Sequence, residues 1–409
     1  MKKKRILLCW GYNRRAWIEP FEKLKHDFDL VYLFFYHHKD EDACYTDCEK
    51  IYYKNFISAR GLINKIRPEK IIFMAIETLL QIAINRYAQR KGIATYYMPH
   101  GISTLKLNEQ LERVDIISSQ ATNLLNWSKL KNLLFSLRFF FLSVSLKEIK
   151  LICQALLYTY ERYAKRQSYL ETLYKFKYAW RYPSKYILFA KRDLPYFSEQ
   201  DNVTHDKILR IGNIHFEEYY LYKQKMDKES SSYLLYIETP LVKIDAFPND
   251  QLVMTRQEHN RLIAVIAGYA KKKELSLVVK LHPYNFDATD YIILENVEYV
   301  RDVNNIELLM EAAAVIGFDS SLMTMAAYFK KCCILIDKTP NSYQTDLIES
   351  FHFKCFDIWC NVDFPDFIIE EKSFTDTLTY EEMHINADLT LFPRENSSIQ
   401  NLKQLLLWP

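Results

Sequence analysis

The chain has 409 residues, and its 49% hydrophobic content is sufficient for two cores. Its 54 basic and 51 acidic residues leave a net charge of only +3, which argues against a general nucleic-acid-binding protein. The basic start is followed by only five apolar residues, 6–10, before Gly11. Because this run is too short for a secretory signal, we expect a cytoplasmic protein.

The cysteine spacing gives no zinc signature. The eight cysteines lack the paired spacing of a structural zinc site, and in a reducing compartment we expect them to remain thiols. Residues 37–48 bring two histidines and two cysteines together among carboxylates. This segment follows an apolar run, and its charges are typical of a solvated loop, so we predict no metal and no other bound cofactor.

In the first half of the chain, short apolar runs alternate with helical segments. This order predicts a parallel, doubly wound α/β sheet of the Rossmann type. The chain contains only seven glycines, and Gly11 follows the first apolar run, so we predict an N-terminal loop that requires glycine. The predicted strands cover 5–10, 29–36, 70–75 and 93–98, with two more at 186–190 and 207–213, and the predicted helices cover 14–28, 57–66 and 77–89.

Two polar residues lie where predicted strands of this first sheet end. Glu77 follows the strand 70–75, and His100 follows the strand 93–98, directly before Gly101. Doubly wound sheets bind ligands at the carboxyl ends of their strands, and histidine exchanges protons near neutral pH. We therefore predict both as catalytic residues, with His100 as the base. The structural alternatives are a buried histidine bonded to the backbone and a glutamate that only caps its helix.

Residues 123–190 are strongly basic. They contain twelve lysines and arginines against three glutamates, a net charge of +9. The apolar run 133–146 inside this region has fourteen residues and includes Arg138, so it is too short to span a bilayer. We interpret 123–185 as a helical insert that contacts an anionic membrane, placing the protein at the inner face of the cytoplasmic membrane. A helical hairpin packed within the protein, or a dimer interface, fits this sequence equally well.

A second alternation of strands and helices follows the polar run 223–232, which we interpret as a linker. We therefore predict two Rossmann-like domains, 1–225 and 226–409. The tail 398–408 has the pattern of an amphipathic helix that packs back across the first domain. The predicted strands of the second domain cover 233–237, 275–281, 312–316 and 332–337, and its predicted helices cover 255–272 and 306–312, with the region 297–303 directly before the second helix.

Two strand ends in the second domain predict a phosphate pocket. One strand stops at the sequence Lys-Leu-His-Pro, because proline ends regular pairing. The other is followed by Gly-Phe-Asp-Ser-Ser and then by a helical segment, whose N-terminus and hydroxyl groups favour an anion. The predicted donor-binding residues are Lys280, His282, Pro283, Gly317, Asp319, Ser320 and Ser321.

Three segments of the second domain resemble those of known enzymes. These are Leu-Leu-Tyr-Ile-Glu-Thr-Pro at 234–240, Val-Val-Lys-Leu-His-Pro at 278–283, and Ile-Gly-Phe-Asp-Ser-Ser at 316–321. They are similar to bacterial sialyltransferases and polysialyltransferases that use CMP-activated sugars, which have the GT-B architecture of two Rossmann-like domains facing a cleft. The resemblance covers 233–337, and it implies that His282, Ser320 and Ser321 hold the phosphate and nucleotide of the donor.

Two departures from that family pattern bear on mechanism. The sialyltransferases carry an acidic pair before a glycine in the first domain, where this chain has Pro99, His100 and Gly101. That sequence is more like the CDP-glycerol phosphotransferases of teichoic-acid synthesis. Retaining GT-B enzymes carry a glutamate near the start of the helix after the glycine turn, where this chain has Met323 and Met325, and this favours inversion.

These observations together predict an inverting, metal-independent glycosyltransferase. Its donor would be a CMP-activated sugar of the sialic acid or Kdo type, and its acceptor a hydroxyl of a bacterial surface glycan such as capsule or lipopolysaccharide, or of a lipid-linked precursor. Two alternatives stay open: a CDP-glycerol phosphotransferase, and a non-catalytic scaffold that keeps the fold.

Overall fold

The protein forms two compact units, Met1–His215 together with Thr390–Pro409, and Phe216–Leu389. The division therefore falls at residue 215 rather than 225, and the last residues of the chain belong with the first unit. The computed structural model describes residues 3–11, 13–35, 45–99, 127–161, 172, 181–189, 201, 203–212, 214, 233–238, 256–282, 289–317, 322–323, 326, 332–337, 358–359, 368–369 and 397–408.

The first unit is built on a parallel sheet with the strand order β3-β2-β1-β4-β5-β6-β7. Its strands are β1 Lys4–Gly11, β2 Phe28–Phe34, β3 Glu49–Tyr52, β4 Lys70–Phe73, β5 Ala94–Tyr97, β6 Lys185–Leu188 and β7 Ile208–Arg210. The inner strand β1 is apolar along most of its length and buried, as expected for a parallel sheet covered on both faces. The doubly wound fold predicted from the sequence is therefore confirmed.

The helices of the first unit are α1 Arg15–Glu22, α2 Ala59–Ile66, α3 Leu79–Arg90, α4 Trp127–Phe141 and α5 Ile149–Thr159. Thr78 caps α3: its hydroxyl accepts the Gln81 N–H, and the Gln81 side chain returns a bond to the Thr78 backbone. The basic insert contributes α4 and α5, whose inner faces join the core through Phe139, Phe140 and Leu151.

The last helix of the chain, α8 Ser398–Leu407, packs on the first unit. The Lys70 ammonium, on the central strand β4, donates to the carbonyl oxygens of Leu405 (3.0 Å) and Trp408 (2.5 Å). Lys4 donates to the carbonyl of Leu407 at 2.7 Å. These bonds satisfy carbonyls that the end of a helix leaves without partners, so α8 is anchored by its C-terminus.

The second unit is built on a sheet with the strand order β10-β9-β8-β11-β12-β13-β14, in which all neighbours are parallel except β13 and β14. Its strands are β8 Tyr233–Ile237, β9 Ser276–Lys280, β10 Val297–Val300, β11 Ala312–Gly317, β12 Cys332–Asp337, β13 Ile358–Trp359 and β14 Ile368–Ile369. Its described helices are α6 Arg256–Lys272 and α7 Asn305–Glu311.

Three strands fall outside every element predicted from the sequence: β3, β13 and β14. Strand β3 has only four residues, two charged ones followed by two apolar ones, and the two others have two residues each. The fourteen-residue apolar run of the insert is also divided, because α4 ends at Phe141 and a new helical segment starts after Ser145. Within the described residues, no helix is long and apolar enough to cross a membrane.

Candidate functional site

Three neighbouring strand ends meet at the carboxyl edge of the second sheet. Strand β8 lies between β9 and β11, with Ile237 paired to Lys280 on one side and to Gly317 on the other. Adjacent strands lie about 4.8 Å apart, so β9 and β11 are roughly 10 Å apart across β8. The two predicted halves of the phosphate pocket thus start on either side of a third strand end, which carries Glu238.

Glu238 organises this edge. It is 2% exposed, and one carboxylate oxygen accepts the backbone N–H of His282 at 2.7 Å while the other accepts the Tyr291 hydroxyl at 2.8 Å. Its own N–H donates to the carbonyl of Lys280 at 3.0 Å. The carboxylate therefore holds the backbone at the start of the His-Pro segment in one position.

Two residues near the start of α6, Arg256 and His259, lie beside the Glu238 carboxylate. The Arg256 Nη1 lies 3.7 Å from the Glu238 carboxylate and 3.3 Å from Nδ1 of His259. Because a guanidinium only donates, Nδ1 is the acceptor and Nε2 carries the proton, which it donates to the Tyr236 hydroxyl at 3.1 Å. Burial, together with the Arg256 charge, lowers the pKa of His259 to about 3, so this histidine is neutral.

Lys280 places a cation at the end of β9. Burial lowers the pKa of its ammonium, and the nearby Glu238 charge partly opposes this shift. Glu238 is already hydrogen-bonded to His282 and Tyr291, and no other carboxylate of the described residues pairs with Lys280. A half-buried lysine in this situation favours an anion, because an anion would restore the stability of its charged form.

Gly317 is required by close packing at the end of β11. A Cβ atom there would lie 3.0 Å from the carbonyl oxygen of Ile237 and 3.3 Å from the Met323 sulfur. The glycine therefore lets β11 approach the end of β8. In the first unit, Gly11 has a φ of +76°, and a Cβ would lie 2.9 Å from the Phe35 ring, so this position also requires glycine.

Glu77 lies after β4 at the carboxyl edge of the first sheet, and it does not cap α3, because Thr78 does. Its carbonyl accepts the Tyr158 hydroxyl at 3.1 Å, and its N–H donates to Gln81 at 3.1 Å, so its backbone is fixed. No described residue hydrogen-bonds to its part-buried carboxylate. Burial raises the pKa of Glu77 to about 7, with the Arg181 charge opposing the shift.

Arg181 is the buried cation whose charge opposes the rise in the pKa of Glu77. It forms an ion pair with Asp201, which also accepts the Tyr186 hydroxyl at 2.8 Å. Asn85 on α3 donates to the Arg181 carbonyl at 2.9 Å, which holds this segment against the helix that follows Glu77. Arg181 was not predicted as a site residue, although a basic residue just before an apolar strand is a visible signal.

The remaining predicted site residues lie outside the described part of the chain: His100, Pro283, Asp319, Ser320 and Ser321. Conversely, sequence reasoning did not assign roles to Glu238, Arg256, His259 or Tyr291. Two signals were present: Glu238 directly follows five buried strand residues, and His259 occupies the apolar face of α6.

The histidines of the metal-like segment 37–48 also lie outside the described residues. Its last part brings Asp47 and Cys48 beside Glu22, with one possible ligand atom from each within 4.8 Å of the others. The Lys25 ammonium lies 3.3 Å from Glu22 and 2.9 Å from Asp47. The two carboxylates therefore neutralise a lysine.

Comparison with known proteins shows the fold. Neither a protein-family profile nor a curated protein sequence matches this chain. Among solved structures, the calicheamicin glycosyltransferase CalG4 is similar with a TM-score of 0.50 at 11% identity, covering 99% of this chain and 98% of that chain. The chain therefore shares the two-domain architecture of GT-B glycosyltransferases.

Two further structures are similar at lower scores. The UDP-GlcNAc 2-epimerase from Methanocaldococcus jannaschii has a TM-score of 0.47 at 8% identity, covering 99% of this chain and all of that chain (100%). The wall teichoic acid polymerase TagF has a TM-score of 0.42 at 13% identity, covering 82% of this chain and 70% of that chain. At such identities a likeness describes the fold, and the function has to be argued from the residues.

Proposed function

We propose that this protein is an inverting glycosyltransferase that moves a sugar from a CMP-activated donor, of the sialic acid or Kdo type, to a hydroxyl of a bacterial surface glycan. The GT-B architecture supports a transferase of this kind. The single observation that carries the proposal is the half-buried Lys280 ammonium at the carboxyl edge of the second sheet, beside a backbone segment fixed by Glu238.

The second unit would bind the donor. In a parallel sheet the carboxyl ends of the strands are the place where phosphates bind, and Lys280 supplies the charge there. Glu238 fixes the backbone that leads to the His282 side chain, and Gly317 allows the next strand end to approach. By the resemblance of the motifs, Asp319, Ser320 and Ser321 would complete the phosphate site, with Pro283 shaping the turn.

The first unit would supply the base. A group with a pKa of about 7, such as Glu77, accepts a proton from an attacking hydroxyl efficiently at neutral pH. The acceptor oxygen would then bond to the anomeric carbon while the bond from that carbon to the phosphate oxygen breaks, and CMP would leave with its negative charge next to Lys280. His100 follows the adjacent strand β5 and is the second candidate for the same role.

Nucleotide binding tests the donor site. Lys280→Ala should weaken CMP binding by roughly 10- to 100-fold, as expected for loss of one charge-assisted contact. Isothermal titration with CMP measures this, and Lys271→Ala, on the exposed end of α6, is the matched control. Absence of CMP binding by the parent protein would favour the non-catalytic scaffold, and equal binding by both variants would remove Lys280 from the site.

Donor turnover tests the reaction. Incubation with CMP-sialic acid, CMP-Kdo or CDP-glycerol, each with an acceptor glycan, should release CMP from a CMP-sugar. The sequence around His100 resembles that of the CDP-glycerol phosphotransferases, which also release CMP. If CMP is released from CDP-glycerol and from neither CMP-sugar, the proposed glycosyl transfer is wrong. The reaction is then attack of the acceptor at phosphorus.

A further inference from the structure

The helix α4 of the insert exposes a mixed apolar and basic face. Lys131, Leu134, Arg138 and Phe141, with Leu142 directly after the helix, are all exposed. At about 100° per residue these five positions fall within an arc of roughly 100°. The opposite face carries Phe139 and Phe140, which are fully buried in the core of the first unit.

The helix α5 repeats this arrangement. Ile149 is 70% exposed, Leu156 is 51% exposed, and Tyr160, directly after the helix, is 55% exposed. Leu157 and Cys153 share this outer face, whereas Leu151, Ala155 and Tyr158 are buried on the inner face. Both helices are thus anchored by one apolar side and present a second apolar side outward, which packing of the unit does not explain.

The charges of this surface have one sign. Lys131, Arg138, Lys147 and Lys150 are exposed. The two acidic residues of 127–161 are turned inward: Glu148 pairs with Arg86 at 3.0 Å and with Arg90, and Glu161 is buried. The outer surface of α4 and α5 therefore combines large apolar side chains with positive charge only, among the described residues.

We propose that the outer faces of α4 and α5 dock the protein onto an anionic lipid bilayer. Helix α4 has fifteen residues and is about 22 Å long, shorter than the roughly 30 Å apolar core of a bilayer, so it would lie in the plane of the interface. Apolar side chains enter the boundary of the acyl chains while lysine and arginine contact anionic headgroups.

A second copy of the chain fits this surface less well. A symmetric dimer interface brings the same patch of both copies together, so exposed cations such as Arg138 and Lys150 would lie among like charges. An anionic bilayer instead complements both the apolar and the charged components of the surface. The charge pattern thus decides between the two occupants.

The position of α5 gives this docking a consequence for the first sheet. The outer face of α5 points away from the unit, while Tyr158 on its inner face bonds to the carbonyl of Glu77 at 3.1 Å. One helix, about 10 Å across, therefore separates the proposed lipid surface from the carboxyl edge of the sheet. A lipid-linked hydroxyl compound held at the bilayer would be close to that edge.

Vesicle co-sedimentation tests the docking without any assay of activity. The full chain should bind vesicles of phosphatidylcholine with 30% phosphatidylglycerol, bind pure phosphatidylcholine vesicles much less, and lose binding as salt rises. Arg138→Glu with Lys150→Glu should weaken binding by about 30-fold or more, since each basic residue near an anionic leaflet contributes roughly a factor of five.

An apolar pair and a matched control complete the test. Ile149→Ser with Leu156→Ser removes exposed side chains and should also weaken binding by at least about 10-fold, whereas Ile293→Ser, at a 93% exposed position of the second unit, should not. Lack of binding to anionic vesicles would overturn the proposal. Binding that these changes leave intact would also overturn it, as would light scattering that shows a dimer which the same changes dissociate.

Discussion

The two units each place a glutamate at the carboxyl edge of a parallel sheet, and the two carboxylates are treated differently. Glu238 is saturated: it accepts bonds from the His282 N–H and the Tyr291 hydroxyl, with Arg256 3.7 Å away. Glu77 has a fixed backbone, but no described residue bonds to its carboxylate, and its pKa rises to about 7. Glu238 is thus fixed by its hydrogen bonds, whereas the raised pKa of Glu77 permits proton exchange near neutral pH.

The largest expected effect is on turnover. Glu77→Gln should lower the rate of CMP release by roughly 10²- to 10⁴-fold with CMP binding unchanged, because the amide cannot accept the proton. Single-turnover kinetics measures the chemical step. Glu69→Gln, at an exposed position just before β4, is the control. If Glu77→Gln keeps full activity and His100→Ala shows the loss instead, the base is His100.

The next effect is on stability, and it is expected at the other glutamate. Glu238→Ala should lower the free energy of unfolding by about 3–5 kcal/mol, because the His282 N–H and the Tyr291 hydroxyl lose their acceptor and Arg256 is left with the more exposed Asp290, 3.0 Å away. Urea denaturation of the parent and the variant measures the difference. A loss below about 1 kcal/mol would show that Glu238 does not hold this edge together.

The smallest effect is the pH dependence that distinguishes the two sites. The folded pKa of Glu77, about 7, lies above its ordinary value of 4.5, so folding favours the protonated form. Its stabilising contribution is complete below pH 4.5 and is lost as pH rises through 7, by up to about 3 kcal/mol. Unfolding measured at pH 5 and pH 8 should show this loss in the parent and not in Glu77→Gln. If the parent and Glu77→Gln lose the same free energy of unfolding between pH 5 and pH 8, the raised pKa of Glu77 is contradicted.

The sequence was sufficient for the elements that repeat a local pattern. The apolar runs of β1, β4, β8 and β9 predicted their strands. Both faces of such a strand are buried, so its residues form a nearly continuous apolar run. The tail helix α8 was also predicted, with its packing on the first domain. Glycine at 11 and 317 was assigned a backbone role, and the structure gives the atoms that each position approaches.

The interactions between distant segments could not be predicted in this way. Glu238, Arg256 and Tyr291 come from a strand end, a helix start and a loop, and no periodic pattern reports that their side chains meet. The same holds for Glu77 and Arg181, which are over one hundred positions apart. Periodicity records which residues are buried, whereas the partner of a buried charge depends on the sheet order.

The anchoring of α8 has a consequence for biosynthesis. Lys70 and Lys4 are translated early, but the carbonyls that they bind belong to Leu405, Leu407 and Trp408. At roughly 5–20 residues per second, the ribosome needs on the order of 10–40 s after residue 215 to deliver them. The first unit therefore emerges first but receives α8 last. In that interval the end of its sheet that α8 later covers would be exposed to a nascent-chain chaperone.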